Sequence, residues 1–180
     1  HLSIRRQRQM CIRDSSEITF KVKHLMITNV TGSFQQFDAT LEAEADDFSD
    51  AKISFEAAID SISTNNEQRD THLKSDDFFA AATHPTLSFV STSFTHKSGA
   101  EYALKGDLTI KGNTKPVALA VDFGGRMTDF YGQDKAGFEI TGKINRSEFG
   151  LTWSAVTEAG GVVVSDEIKL NMAVQMVKQA

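Results

Sequence analysis

Ser61-Ile62-Ser63-Thr64-Asn65-Asn66-Glu67-Gln68-Arg69-Asp70-Thr71-His72-Leu73-Lys74-Ser75-Asp76-Asp77-Phe78-Phe79 is where long two-residue alternation gives way to a short helical pattern. Arg69 and Leu73 stand four apart and Arg69 and His72 three apart, so on a helix they share a face. Asn65 with Gln68 has the pattern of a capping box for a helix starting near Asn66. Ser75 with Asp76 and Asp77 reads as a second helix start. On both sides the chain alternates apolar and polar residues, the pattern of half-buried strands. A polar helical segment near 65–80 inside an otherwise all-β chain is what the mouth of a barrel calls for.

Working outward, Ile18, Phe20 and Val22 alternate with Glu17, Thr19, Lys21 and Lys23. After a turn-like Thr31-Gly32-Ser33 come Phe37, Ala39, Leu41, Ala43 and Ala45. Ile53, Phe55, Ala57 and Ile59 then run from Asp46-Asp47 to the helical segment. His84-Pro85 restarts the chain, and Leu87, Phe89 and Phe94 mark a fourth strand, with Tyr102, Leu104, Leu108 and Ile110 a fifth. Lys111 to Pro116 reads as a turn before Val117, Leu119, Val121 and Phe123. Gly124-Gly125 opens a polar loop, followed by Phe138, Ile140 and Ile144, with Gly142 in phase. Ile168, Leu170, Met172, Val174 and Met176 make the last strand.

About eight long strands joined by short turns, with no crossover helices, predict an antiparallel meander. Its two edges are aggregation hazards unless paired with each other, so the expectation is a single closed antiparallel barrel from about residue 16 to 178. A barrel of that size holds side chains plus one small ligand. A two-sheet sandwich is the alternative, with longer connections than several of these turns supply.

Composition narrows the function classes. A net charge of −5 without a Lys/Arg-rich stripe argues against a nucleic-acid partner. No run of eighteen apolar residues exists, so no membrane span is expected. Thirteen Phe against one Trp and two Tyr point to an interior that is apolar and dry. Residues 1–14 read as a foreign-looking or disordered segment ahead of a domain over 15–180. They hold Arg5, Arg6, Arg8, Arg13 and the only cysteine, Cys11, without β alternation, and resemble translated sequencing-adapter sequence. A basic arm for an acidic partner is the alternative. The segment has no apolar core of an intact secretory signal, and the expectation is that any such signal was lost with the original N-terminus.

From about Ser16 to Val177 the chain resembles the YceI-like family, lipocalin-like barrels known as polyisoprenoid-binding proteins. The residues that carry the likeness are His24-Leu25 with Gly32-Ser33-Phe34, Arg69-Asp70-x-His72-Leu73-Lys74-Ser75 with Phe78-Phe79, and His84-Pro85-x-Leu87-x-Phe89. Two further blocks are Gly106-Asp107-Leu108-Thr109-Ile110-x-Gly112-x-Thr114-Lys115-Pro116-Val117 and Arg146-Ser147-x-Phe149-Gly150-Leu151. The resemblance implies a non-enzymatic protein that binds or transports an elongated apolar lipid along the barrel axis, with a polar head near one end. The ligand would be a polyisoprenoid or a fatty-acid-like amphiphile, with no cofactor. A periplasmic or secreted location and a homodimer are further expectations.

The apolar strand phases agree on a tail site: Phe20, Phe34, Phe55, Phe89, Phe123 and Phe138, with Ile140 and Met172, are the candidate lining residues. For any one of them the alternative is that the side chain simply fills a solid core, which would make the protein a stress-response or interaction module without lipid. Arg69 and His72, with Lys74, are candidates for a polar head group at the mouth, against the alternative that they cap helices and tie the plug to the rim. His24, on the apolar phase of its strand, reads as a hydrogen-bonded core histidine. A hydrolase is the less favoured reading: His72, Asp70 and a nearby Ser lack a Gly-x-Ser-x-Gly elbow and oxyanion donors. No metal site is expected, because the five His are scattered without a His-x-x-x-His pair. The sequons Asn29-Val30-Thr31 and Asn145-Arg146-Ser147 read as chance.

Overall fold

The computed structural model describes residues 8–12, 16–24, 27–44, 48, 50–153 and 164–178, with backbone alone for 8–12 and 24. Leu25, Ala45, Asp46-Asp47 and the His24 side chain therefore lie outside the described residues, as do 1–7 and 13–15. Among the described residues the chain forms one curled, antiparallel, all-β sheet with a single short α-helix. Eleven strand segments make it up: β1 Arg8–Ile12, β2 Glu17–His24, β3 Thr28–Phe34, β4 Phe37–Ala43, β5 Lys52–Ala58, β6 Ile62–Ser63, β7 Thr86–Ser98, β8 Glu101–Ile110, β9 Asn113–Thr128, β10 Asp134–Asn145 and β11 Val164–Lys178. Helix α1 spans Glu67–Lys74. From β7 to β11 the sheet is an uninterrupted meander, as the alternation predicts.

The expected count of about eight is corrected to eleven segments: β1 and β3 lie where no strand is read, and the short β6 is set off from β5 where the sheet turns a corner. Gln35-Gln36 separates β3 from β4, and a 3-10 turn at Ile59–Ser61 separates β5 from β6 directly opposite. The two breaks hold each other: Gln35 N–H donates to the Ser61 carbonyl at 3.1 Å and Ala58 N–H to the Gln36 carbonyl at 2.9 Å. Both corners thus keep their backbone groups paired while the chain changes direction.

Two further readings are corrected. Residues 1–14 were set apart from the fold, yet Arg8–Ile12 is a strand whose Met10 faces both Leu41 of β4 and Lys178 of β11. Backbone pairing uses N–H and C=O groups that every non-proline residue carries, so a strand need not announce itself by alternation. Thr31-Gly32-Ser33 is not a turn either. It lies within β3, and Gly32 pairs with Phe20, whose ring tip occupies the space 2.2 Å from where a Cβ would stand. The same device recurs where the Phe89 ring covers Gly106 and Leu119 covers Gly142. At Gly32, Gly106 and Gly142 the missing side chain leaves room for a large neighbour to lie close on the backbone.

Gly124-Gly125, expected to open a loop, is instead a bulge within β9. Gly137 pairs with Gly125 and Phe138 with Phe123, leaving Gly124 unpaired, and Gly125 takes φ +109. The turn read over Lys111 to Pro116 is confined to Lys111-Gly112, both with positive φ, and Asn113 to Pro116 already pair with β8 as the start of β9. Gly106→Ala is expected to be costly, because its Cβ would stand 2.5 Å from the Val90 carbonyl oxygen, a backbone atom that cannot swing aside. About 1–3 kcal/mol of stability should be lost, read as a lower denaturation midpoint at constant slope. No loss would mean the β7–β8 ladder is more pliant than its packing implies.

The helical reading is right in place and wrong in detail. Asn66, not Asn65, is the N-cap, accepting the Arg69 N–H at 3.0 Å, while Asn65 takes φ +59. Ser75 ends α1 instead of starting a second helix: its N–H and hydroxyl both return to the His72 carbonyl. Tight turns then carry the chain on, with Phe78 and Ala80 N–H donating to the Ser75 carbonyl. No residue of α1 is fully buried, and its one apolar contact with the core is Leu73, so the helix docks without an apolar stripe.

Candidate lipid cavity

The inward phases of the strands converge on an apolar cavity of about 190 Å³. Phe20, Phe34, Phe55, Phe89, Phe138, Ile140 and Met172 all line it, so seven of the ten candidate residues meet at one place. Phe123 does not. It lies edge to the ring of Phe48, 5.7 Å between centroids, and tilted on Phe138 at 5.3 Å.

Neither Arg69 nor His72 reaches the cavity wall. Arg69 Nε donates to the Thr64 hydroxyl and Nη2 to the Thr64 carbonyl, both at 2.8 Å. The Asp70 carboxylate accepts the Thr64 N–H at 2.9 Å together with its hydroxyl. The alternative reading, in which such groups tie the plug to the rim, is the one Arg69 follows, and with Asp70 it ties α1 to Thr64 in the chain just after β6. These bonds supplement the single apolar contact that Leu73 gives the helix. His72 Nε2 lies 2.9 Å from Asp77 Oδ2, with its ring edge-on to Phe78 and to Trp153. The residues that close this end over the cavity are Leu73, Phe78 and Phe79.

Arg69→Ala should therefore act on the helix anchor. Two charge-assisted bonds are lost, each of about 1.5–3 kcal/mol at most. Amide exchange across 67–74 should accelerate well beyond that of β7–β10. Unchanged exchange there would show that Leu73, Phe78 and Phe79 hold the segment alone.

Among the described residues Arg146 is the one polar residue on the cavity wall, a placement that the Arg146-Ser147-x-Phe149 motif alone does not reveal. It begins a 3-10 turn over Arg146–Phe149, capped by the Asn145 side chain accepting the Ser147 N–H. Only 2% exposed, it donates from Nε to the Ser165 carbonyl, from Nη1 to Leu151 and Trp153, and from Nη2 to Val164, at 2.6–3.2 Å. Burial pushes its pKa down, partly offset by Asp166, whose carboxylate lies 3.6 Å away. The guanidinium is fully engaged in sewing residues 146–153 to the start of β11. It caps carbonyls and presents the lumen with its carbon stem.

At the opposite end sits Phe48, 1% exposed, with φ +60. Its ring meets Phe123 and Phe138 at 5.7 Å each, and the Arg126 guanidinium lies 5.5 Å above it. Nothing in the local sequence marks this residue, since it stands beyond the alternating run of β4.

A curled antiparallel sheet around an apolar cavity, with one short helix at its end, is the architecture of small β proteins whose interior has room for side chains and one small ligand. The chain matches the YceI-like domain over residues 12–176 and belongs to the YceI-like family. A UPF0312 protein of Staphylococcus aureus (strain USA300) is 38% identical over 161 residues, covering 89% of this chain and 91% of the relative. A Campylobacter jejuni YCEI protein of known structure is 34% identical with a TM-score of 0.75, covering 89% of this chain and 91% of that one. A polyisoprenoid binding domain from Saccharophagus degradans, implicated in plant cell wall breakdown, is 12% identical with a TM-score of 0.66, covering 94% and 98%, a likeness of fold alone. Among the described residues no helix is long and apolar enough to cross a membrane.

Proposed function

We propose that this protein binds an elongated apolar lipid, a polyisoprenoid or similar chain, within the sheet, and does so without catalysis. The observation that carries the reading is the cavity wall: among the described residues every lining residue but Arg146 is apolar, and the Arg146 guanidinium is engaged by four backbone carbonyls and the Asp166 carboxylate. A lumen with no free polar group favours hydrocarbon and rejects any head that needs hydrogen bonds. The head group, if there is one, then stays outside, at the α1 end or the Phe48 end. What supports a closed barrel around the ligand is the double pairing of β1, which joins β4 to β11. Carriage of lipid in a periplasmic or extracellular space is the role in keeping with such a container.

The filled-core alternative draws on one observation. Phe20 and Phe89 lie flat over glycines instead of projecting freely, and the open volume is modest. It nevertheless exceeds the roughly 150 Å³ of an engineered apolar cavity that takes up benzene. Each isoprene unit buried contributes on the order of 4 kcal/mol before ordering costs, at about 0.8 per carbon. Titrating delipidated protein with prenols of increasing length should give affinity that rises with each unit and then levels off. Affinity independent of length would remove the lumen as the binding site.

A further inference from the structure

Three of the five exposed large apolar side chains among the described residues sit in one hairpin between β9 and β10: Met127, Phe130 and Tyr131. Phe130 and Tyr131 are 107% and 90% exposed, so neither packs on its own fold. The turn that carries them is nonetheless firmly built. The Asp129 carboxylate accepts N–H bonds from Gln133 at 3.0 Å and Tyr131 at 2.9 Å, with Lys135 Nζ at 3.1 Å. Asp129 N–H donates to the Gln133 carbonyl, Gly132 N–H returns to the Asp129 carbonyl, and the Thr128 hydroxyl reaches Asp134. These donors, the Gln133 N–H foremost, hold the Asp129 carboxyl below its ordinary range. The carboxylate form that braces the turn is therefore present at neutral pH and lost only as acid passes through that lowered value. Polar bonds fix the backbone and leave two aromatic rings pointing into solvent.

We propose that the Phe130–Tyr131 tip is a docking element for the surface of an electrically neutral, zwitterionic lipid bilayer, and that it sets the Phe48 end of the lumen against that surface. This rests on the apolar-ligand reading above. The place is right: Arg126, over the Phe48 ring, is followed about 7 Å further along β9 by Thr128, where the tip begins. The size favours lipid over protein. Two rings bury roughly 150–250 Å² each, short of the roughly 800 Å² per partner that a stable protein interface needs. Aromatic rings, one with a phenolic hydroxyl, suit the boundary between head groups and acyl chains. Charge decides the kind of bilayer. Among the described side chains beside the turn, Lys135 faces Asp129, Lys178 faces Asp134 at 4.0 Å and Arg126 lies over the Phe48 ring, so these leave no cationic patch there to select anionic lipid.

The test is sedimentation of the full chain with phosphatidylcholine vesicles, comparing wild type with Phe130→Asp/Tyr131→Asp. The double variant should partition at least about tenfold less, since two rings lose their apolar burial. Wild-type partitioning should change little with salt or with added phosphatidylglycerol. Phe130→Trp emission should shift to the blue on adding vesicles, while that of wild type, whose only tryptophan is Trp153, should not. Loading of both proteins with geranylgeraniol from detergent micelles separates the two readings. Equal loading with lost vesicle binding supports the docking tip. Loading of wild type without any vesicle binding overturns the tip and leaves the lumen reading intact, whereas vesicle binding without loading does the reverse. If wild type self-associates and the double variant is monomeric by light scattering, the tip belongs to a contact between copies and the proposal fails.

Discussion

Arg146→Met is expected to lower the melting temperature by roughly 6–20 °C. The four carbonyls of Leu151, Trp153, Val164 and Ser165 accept from one guanidinium that is 2% exposed. Methionine fills a similar length and satisfies none of them, and orphaning several buried acceptors costs about 3–5 kcal/mol in all. At about 2–4 °C per kcal/mol for a chain of this size, calorimetry resolves that easily. Arg146→Lys should fall between, because one ammonium cannot reach all four oxygens in the plane of a fork. A shift for Arg146→Met below about 2 °C would mean that water replaces the guanidinium without strain and that residues 146–153 are held by Phe149 and Leu151 alone.

Phe55→Trp is expected to weaken geranylgeraniol binding at least about tenfold while leaving the melting temperature within about 2 °C. Phe55 is only half-buried and lines open space, so the larger ring enters room the ligand needs. Displacing a fraction of an isoprene unit is enough for that factor, at about 0.8 kcal/mol per carbon and 1.4 per decade. Phe138→Trp makes the contrast. Phe138 already contacts Phe48 and Phe123 at 5.7 and 5.3 Å between ring centroids, so overpacking there should cost about 1–3 kcal/mol. If both variants lose stability alike and neither affects binding, the interior is a solid core.

Most of the sheet is legible in the sequence because one face of each strand is buried and the other wet, which writes period-two alternation into β2, β4, β5 and β7–β11. The segments that escape are those whose pairing does not depend on a buried face. Arg8–Ile12 pairs through its backbone without alternating, and Gly32 looks like a turn residue because its role is to leave room for Phe20. The apolar half of the site is legible for the same reason as the strands: Phe20, Phe34, Phe55, Phe89, Phe138, Ile140 and Met172 share the inward phase. The polar half is not. Arg69 and Arg146 look alike in sequence as cations in distinctive motifs, and only their acceptors show that both hold chain segments together. Phe48 carries no pattern at all, since its burial comes from β9 and β10, some eighty residues away.

The central claim is that the lumen is a ligand site, and native mass spectrometry of the protein purified without detergent or solvent extraction tests it most directly. The account predicts a species heavier than the polypeptide by the mass of an apolar lipid, lost on denaturation and diminished in Phe55→Trp. A single species at the polypeptide mass, unchanged after incubation with geranylgeraniol or a long-chain fatty acid, would contradict it.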